Sequence, residues 1–205
     1  MEEGRRDRVH TPRGAVTLRV AYADPPYPGC AHLYEGHPHY AGEVDHVELV
    51  ERLLAYDGWA LSTSSKALGY VLGLVPDDVR ILIWVKNTVR YAWEPVIVAS
   101  AREPAVGLRD WIHCEPDAFQ WRQRPEEHVI GAKPAPFSLW LFDWLGASPG
   151  DDFDDLFPGS GAVGRAWHIF ASQTRLVVPE ARNGRAVRRA NEKALRAHPQ
   201  LGDAA

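Results

Sequence analysis

Two short stretches of this chain combine residue types that can do chemistry at one point. The first is Asp24-Pro25-Pro26-Tyr27. Consecutive prolines hold φ near about −65° and remove two N–H donors, so the turn presents carbonyl oxygens and a carboxylate but no backbone donor. Beside these acceptors Tyr27 offers a flat π surface. An exocyclic amino group fits such a corner: two acceptors grip its two protons, the ring stacks on the attached base, and the nitrogen is left to attack an electrophile. The second stretch is Asp155-Leu156-Phe157-Pro158-Gly159-Ser160-Gly161. Here an acidic residue ends a β-rich run, and a glycine turn leads into a helical pattern whose first amides are free to meet an anionic group. Read onward, Gly159–Gly164 also matches the dinucleotide pattern GxGxxG, with Glu180 at about the distance of a ribose-binding carboxylate.

The elements that must position these two stretches alternate. A β-rich run over 15–23 is broken sharply at Asp24, and a long loop with glycine, proline and histidine follows over 28–42. Val47, Val50, Leu53 and Leu54 recur at helical spacing behind Asp45 or Val44 and predict an amphipathic helix. A short buried strand over 59–62 and a helix over 65–74 come next, then β-rich runs at 80–86 and 94–100 that form a hairpin or adjacent antiparallel strands. Residues 101–133 show no period, and their five basic side chains are balanced by six acidic ones, so they read as an inserted loop region. An apolar helix over 136–145, a strand over 153–157, a helix over 161–171 and a strand over 175–178 complete the pattern. Alternation of this kind predicts an α/β sheet, mostly parallel with an antiparallel hairpin, with helices on both faces and the ligand at the carboxyl ends of the strands.

Composition narrows the classes further. At 205 residues, 45% apolar and 24% charged, the chain can bury a core without disulfides or a structural metal. Two cysteines suggest a reducing compartment, and neither a membrane span nor a signal peptide is legible, so the reading is cytoplasmic with no membrane partner. Net charge is −4, which excludes a uniformly basic surface. Basic residues concentrate instead at the ends: an arm over 1–14 with Arg5, Arg6, Arg8 and Arg13, and a tail over 181–205 with six basic residues and one acidic residue in 181–197.

The two motifs, in this order, resemble those of S-adenosylmethionine-dependent methyltransferases acting on adenine N6. DPPY at 24–27 stands for the catalytic motif and DLFPGSG at 155–161 for the cofactor loop, with Lys133-Pro134 upstream of the helix leading into the cofactor strand. Catalytic motif before cofactor motif is similar to the permuted β-type arrangement of bacterial and phage DNA methylases and of mRNA adenosine methyltransferases. The likeness covers roughly 16–180 and implies a Rossmann-like class I sheet, a single methyltransferase domain over 15–180, and S-adenosylmethionine as cofactor without a metal. It implies that Asp24 and the Pro25 carbonyl take the hydrogen bonds of the target amine, that Pro26 completes the catalytic motif, and that Tyr27 stacks on the base. Asp155, Phe157, Gly159, Ser160 and Gly161 would border the cofactor. Lys133 either reaches the cofactor carboxylate or stands as a solvated lysine, and Glu180 is either a ribose ligand or a surface glutamate. The partner implied is nucleic acid, DNA before RNA or a nucleoside, and adenine before cytosine.

Within that resemblance only 101–133 is available for target recognition, so recognition is minimal or is supplied by a homodimer or a partner subunit. Substrate contacts are expected from Tyr34, His37 and Tyr40 in the loop, from Trp93, and from Arg109, Arg122 and Arg124, with Trp111 and Trp121 as stacking surfaces. The loop also holds Cys30, His32, His37 and His39, and Cys114 follows His113, but C-x-H and H-x-H spacings are poor zinc patterns. Two rivals remain. A nicotinamide-dependent oxidoreductase would use Gly159–Gly164 as its fingerprint, although little chain follows it. A catalytically silent nucleic-acid-binding subunit would keep the fold alone.

Overall fold

The computed structural model describes residues 16–36, 41–86, 92–116 and 132–172. They form an α/β structure around one six-stranded mixed sheet with strand order β5-β3-β4-β2-β1-β6. At its centre β1 (Arg19–Ala23) lies parallel to both β2 (Gly58–Ser62) and β6 (Asp152–Asp155). Both β1 and β2 are covered on two faces, which is why their residues are apolar without alternation. The expected hairpin is present: β3 (Arg80–Val85) and β4 (Trp93–Ala99) pair antiparallel, with Trp84 opposite Glu94. Because β4 is also antiparallel to β2, it is the one strand of the six that runs against the rest.

Helices cover both faces. Following β1, α1 (His46–Leu54) begins where Asp45 accepts hydrogen bonds from the amides of Val47 at 2.9 Å and Glu48 at 3.2 Å. That N-cap satisfies donors the first turn would otherwise leave open. Its apolar stripe, Leu49, Val50, Leu53 and Leu54, packs with α2 (Leu68–Leu72) on Ala21, Trp59, Leu61 and Ile97. The opposite face carries α3 (Ala135–Leu145) and α4 (Ala162–Ser172) against Val20, Tyr22, Leu82, Trp84 and Val96. Gly146 ends α3 at φ 64°, and a Cβ there would lie 2.7 Å from the Arg102 carbonyl oxygen, so both conformation and space require glycine.

The acidic strand β6 is held in place by its single aromatic residue. Phe153 stacks on Trp167 with ring centroids 4.8 Å apart and meets Phe142 edge-on at 5.2 Å. Burying such rings contributes about 1.5–3 kcal/mol each, enough to seat a strand whose other residues are aspartates. On the other face Tyr56 donates its hydroxyl to Asp154 at 2.7 Å.

Four elements differ from the sequence reading. The first strand begins at Arg19, with 16–18 outside it, rather than spanning 15–23. The second helix is five residues, Leu68–Leu72, rather than ten. β6 ends at Asp155 instead of running to 157, its last bond to β1 being donated by the Leu156 amide to the Tyr22 carbonyl. Part of the stretch taken as an insert forms β5 (Trp111–His113), parallel to β3 at the sheet edge. The arm 1–14, the strand 175–178 and the basic tail lie outside the described residues. Among the described residues no helix is long and apolar enough to cross a membrane.

Candidate active site at the ends of β1 and β6

Register places the two motifs side by side. Tyr22 on β1 is paired with Asp155 on β6, and both strands run the same way, so Asp24 and the glycine turn leave the sheet at one edge. The helices that follow diverge: α1, after β1, packs on one face and α4, after β6, on the other. Neighbouring parallel strands whose connections part in this way leave a crevice between their carboxyl ends, the usual ligand position in an open α/β sheet.

At the β1 corner the charges are already partnered. Lys133, just ahead of α3, reaches across the sheet edge to Asp24 Oδ2 at 2.7 Å and to Glu94 Oε2 at 3.3 Å. Glu94 Oε1 in turn accepts from Lys86 Nζ at 2.6 Å. The result is a row of alternating charge, Asp24, Lys133, Glu94, Lys86. Its inner lysine is 3% exposed and lies over the rings of Trp84 at 5.0 Å and Phe137 at 5.8 Å, so the cation is held by aromatic faces as well as carboxylates. The other carboxylate oxygen of Asp24 has one long contact, 3.4 Å from the Tyr27 hydroxyl. Below them the Tyr22 hydroxyl and Ser62 Oγ share a hydrogen bond of 2.8 Å.

Burial pushes the Asp24 carboxyl above its ordinary value, with Lys133 opposing and Glu94 adding to the rise. Burial also works on Glu94, but Lys133 and Lys86 outweigh it and hold that carboxyl below its ordinary value. Burial disfavours the Lys133 ammonium, yet Asp24 and its neighbours keep it well above the usual lysine value. All of these shifts follow from charges held close together away from water.

The β6 corner is the opposite case. Both carboxylate oxygens of Asp155 are enclosed and neither meets hydrogen-bond geometry. Burial pushes this carboxyl up to about 6; the nearby amides of Phe157 and Gly164 pull the other way, and Asp24 adds to the rise. The turn is made by Gly159 at φ 49° and Gly161 at φ 71°, with the Gly161 amide donating to the Pro158 carbonyl at 2.6 Å. A Cβ on Gly161 would meet the Arg165 guanidinium at 3.0 Å.

The expected site residues divide accordingly. Asp24, Pro25, Pro26 and Tyr27 sit at one corner, and Asp155, Gly159, Ser160 and Gly161 at the adjoining one. Phe157 packs into the core beneath α1. Lys133 stands at Asp24 rather than at the glycine turn. Tyr34 ends the short 3-10 turn Ala31–Tyr34; burial raises its hydroxyl pKa, Asp24 and Glu94 add to the rise, and Lys133 opposes it, so this part of the loop lies within electrostatic reach of the corner. Trp93 opens β4 at the same sheet edge and is 40% exposed. Arg109 is not brought to the corner: it lies over Trp111, 5.3 Å from the ring, next to β5, and β5 stands four strands from β1, roughly 19 Å at about 4.8 Å per strand. His37, Tyr40, Arg122, Arg124, Trp121 and Glu180 lie outside the described residues. Glu94 and Lys86 were missed. Their signal was a pair of charges inside two β-rich runs, placed where a hairpin must bring them together.

No protein-family model matches the chain, and neither a curated protein nor a solved structure matches it.

Proposed function

We propose that this protein is a Rossmann-like class I methyltransferase that moves a methyl group from S-adenosylmethionine to the exocyclic N6 of adenine in nucleic acid, DNA before RNA, in the cytoplasm. The observation that carries this reading is the adjacency, at one switch point of the sheet, of an acceptor-only corner and a part-buried carboxylate whose enclosed oxygens have only the backbone amides of Phe157 and Gly164 near them and no cationic side chain in hydrogen-bond contact. A carboxylate met only by backbone amides and by no cationic side chain suits the cationic ammonium of an amino-acid ligand such as the methionine part of the cofactor. The amides opening α4 and the two positive-φ glycines suit the close approach of that ligand's backbone-like atoms. The mixed sheet with one antiparallel strand accords with the same class.

When bound, the cofactor supplies an electrophilic methyl on a sulfonium that leaves as a neutral thioether. The chain's own residues do the rest. Lys133 occupies Asp24 Oδ2, which leaves Oδ1 and the Pro25 carbonyl to accept the two amine protons. As the nitrogen takes the methyl and becomes positive, the Asp24 carboxylate faces the developing charge. Methyl transfer would leave the nitrogen with one proton in excess, and Asp24 Oδ1, already its acceptor, is the group placed to take that proton and pass it to solvent. Orientation of nucleophile against methyl in an enclosed crevice supplies much of the acceleration.

The nicotinamide alternative has an observation against it. In the dinucleotide fingerprint the third glycine serves close helix–strand packing, whereas a Cβ on Gly164 would meet no atom within 4 Å. Transfer of tritiated methyl to DNA, RNA and nucleosides in parallel, with mass spectrometry of the digests, tests the proposal. Label in N6-methyladenine supports it; calorimetric binding of NAD without S-adenosylmethionine overturns it.

A further inference from the structure

Glu94 touches neither motif, yet it is 7% exposed, ionised, and shared between two lysines. Packing alone does not require charged groups there, since an apolar cluster could fill the same volume at no desolvation cost. Its position acquires a reason from the charge sum at the sheet edge. Asp24 and Glu94 are negative, Lys86 and Lys133 positive, so the row is neutral; Asp155 adds one negative charge when ionised. Without Glu94 the two ammonium groups would leave one uncompensated positive charge beside the crevice. A cationic ligand would be repelled there, and a neutral one would not.

We propose that Glu94 is a positioning residue that cancels the positive charge of Lys86 and Lys133, so that the corner accepts a cationic cofactor while Lys133 remains in place to orient Asp24. This rests on the methyl-transfer reading for the ligand, but not for the charge row itself. The groups facing Glu94 are Lys86 from the end of β3, Lys133 from ahead of α3, and, across Lys133, Asp24 from β1; Tyr22 and Tyr27 face the inner end of the row as neutral hydroxyls.

Two measurements on the full-length protein test the assignment. The first is titration calorimetry of S-adenosylmethionine and of its neutral product S-adenosylhomocysteine against wild type, Glu94→Gln and the double variant Glu94→Gln/Lys86→Met. The expected result is that Glu94→Gln weakens the cationic ligand roughly tenfold relative to the neutral one, and that removing Lys86 as well restores the ratio to within about threefold. Equal losses for both ligands, or an unchanged ratio, would overturn the proposal. The second measurement needs no ligand: urea midpoints at pH 8 for Glu94→Gln, Lys86→Met and the double variant. A double variant more stable than the sum of the two single effects predicts shows that the charges compensate one another; strict additivity overturns that. If wild type binds neither adenosyl compound, the methyl-transfer reading fails while the urea cycle still decides the charge row.

Discussion

The two corners of the candidate site are built on opposite terms. At the end of β1 the carboxylate is bound on one side by Lys133 and the row behind it reaches as far as β3. At the end of β6 a carboxylate of the same type has enclosed oxygens and no cationic side chain against it, only the nearby amides of Phe157 and Gly164, on a turn that depends on two glycines at positive φ. The first corner is complete before any ligand arrives, as expected of a group that must be aimed at a reacting atom. The second is incomplete and costs stability until a cation enters, as expected of a group that binds. Proximity in sequence would have grouped each aspartate with its own turn; their surroundings assign them different tasks.

The contrast can be broken most severely at Asp24. Replacing it by alanine is expected to lower methyl transfer by roughly 10³-fold while leaving cofactor affinity within a few-fold, read by single-turnover kinetics and calorimetry. Unchanged turnover would place the chemistry elsewhere. Next in size is Lys133→Met, which takes the cation from between the part-buried Asp24 and the buried Glu94; a loss of about 2 kcal/mol in urea unfolding at pH 8 is expected. A neutral result there would mean that the row is not a structural unit.

Asp155→Asn should do the reverse. The folded-state value of about 6 lies above the ordinary 3.8, so the folded protein holds the proton more tightly and stability falls as pH rises between those values. Removing the charge is therefore expected to raise stability at pH 8 by about 1–2 kcal/mol, allowing for partial exposure, with the gain vanishing below about pH 4. Cofactor affinity should fall in the same variant. A destabilised Asp155→Asn at pH 8 would contradict the description of this corner as incomplete. Smaller still, Gly161→Ala places a side chain at φ 71° and should cost about 1 kcal/mol, read as a shift in thermal midpoint. Gly164→Ala, in a helix with open space around it, should be neutral or stabilising by up to about 1 kcal/mol with ligand binding kept; loss of binding would revive the dinucleotide reading.

Much of this architecture was legible beforehand because its signals are local. Asp45 capping α1, the prolines that stop β1 after Ala23, and the apolar run that becomes α3 each act within a turn or two of themselves. The corners themselves were legible for the same reason, since a Pro-Pro turn and a glycine turn carry their geometry with them. The short extent of α2 inside the expected helix over 65–74, and the edge strand β5, were not, because five and three residues are too few to show a period.

What the order of residues determined alone was therefore which atoms the two turns can offer: acceptors at one, amides and a carboxylate at the other. Only the folded sheet decided which oxygen of Asp24 is taken and which is left, for Lys133 arrives from 109 residues away and Glu94 reaches the same lysine from another 39. Lys86 and Glu94 share a hairpin and so leave a local signal, but the pairs that Lys133 makes join distant elements and leave none. The energy of an ion pair depends on separation in space and on exclusion of water, and both are set by strand register and by the packing of α3 against Trp84.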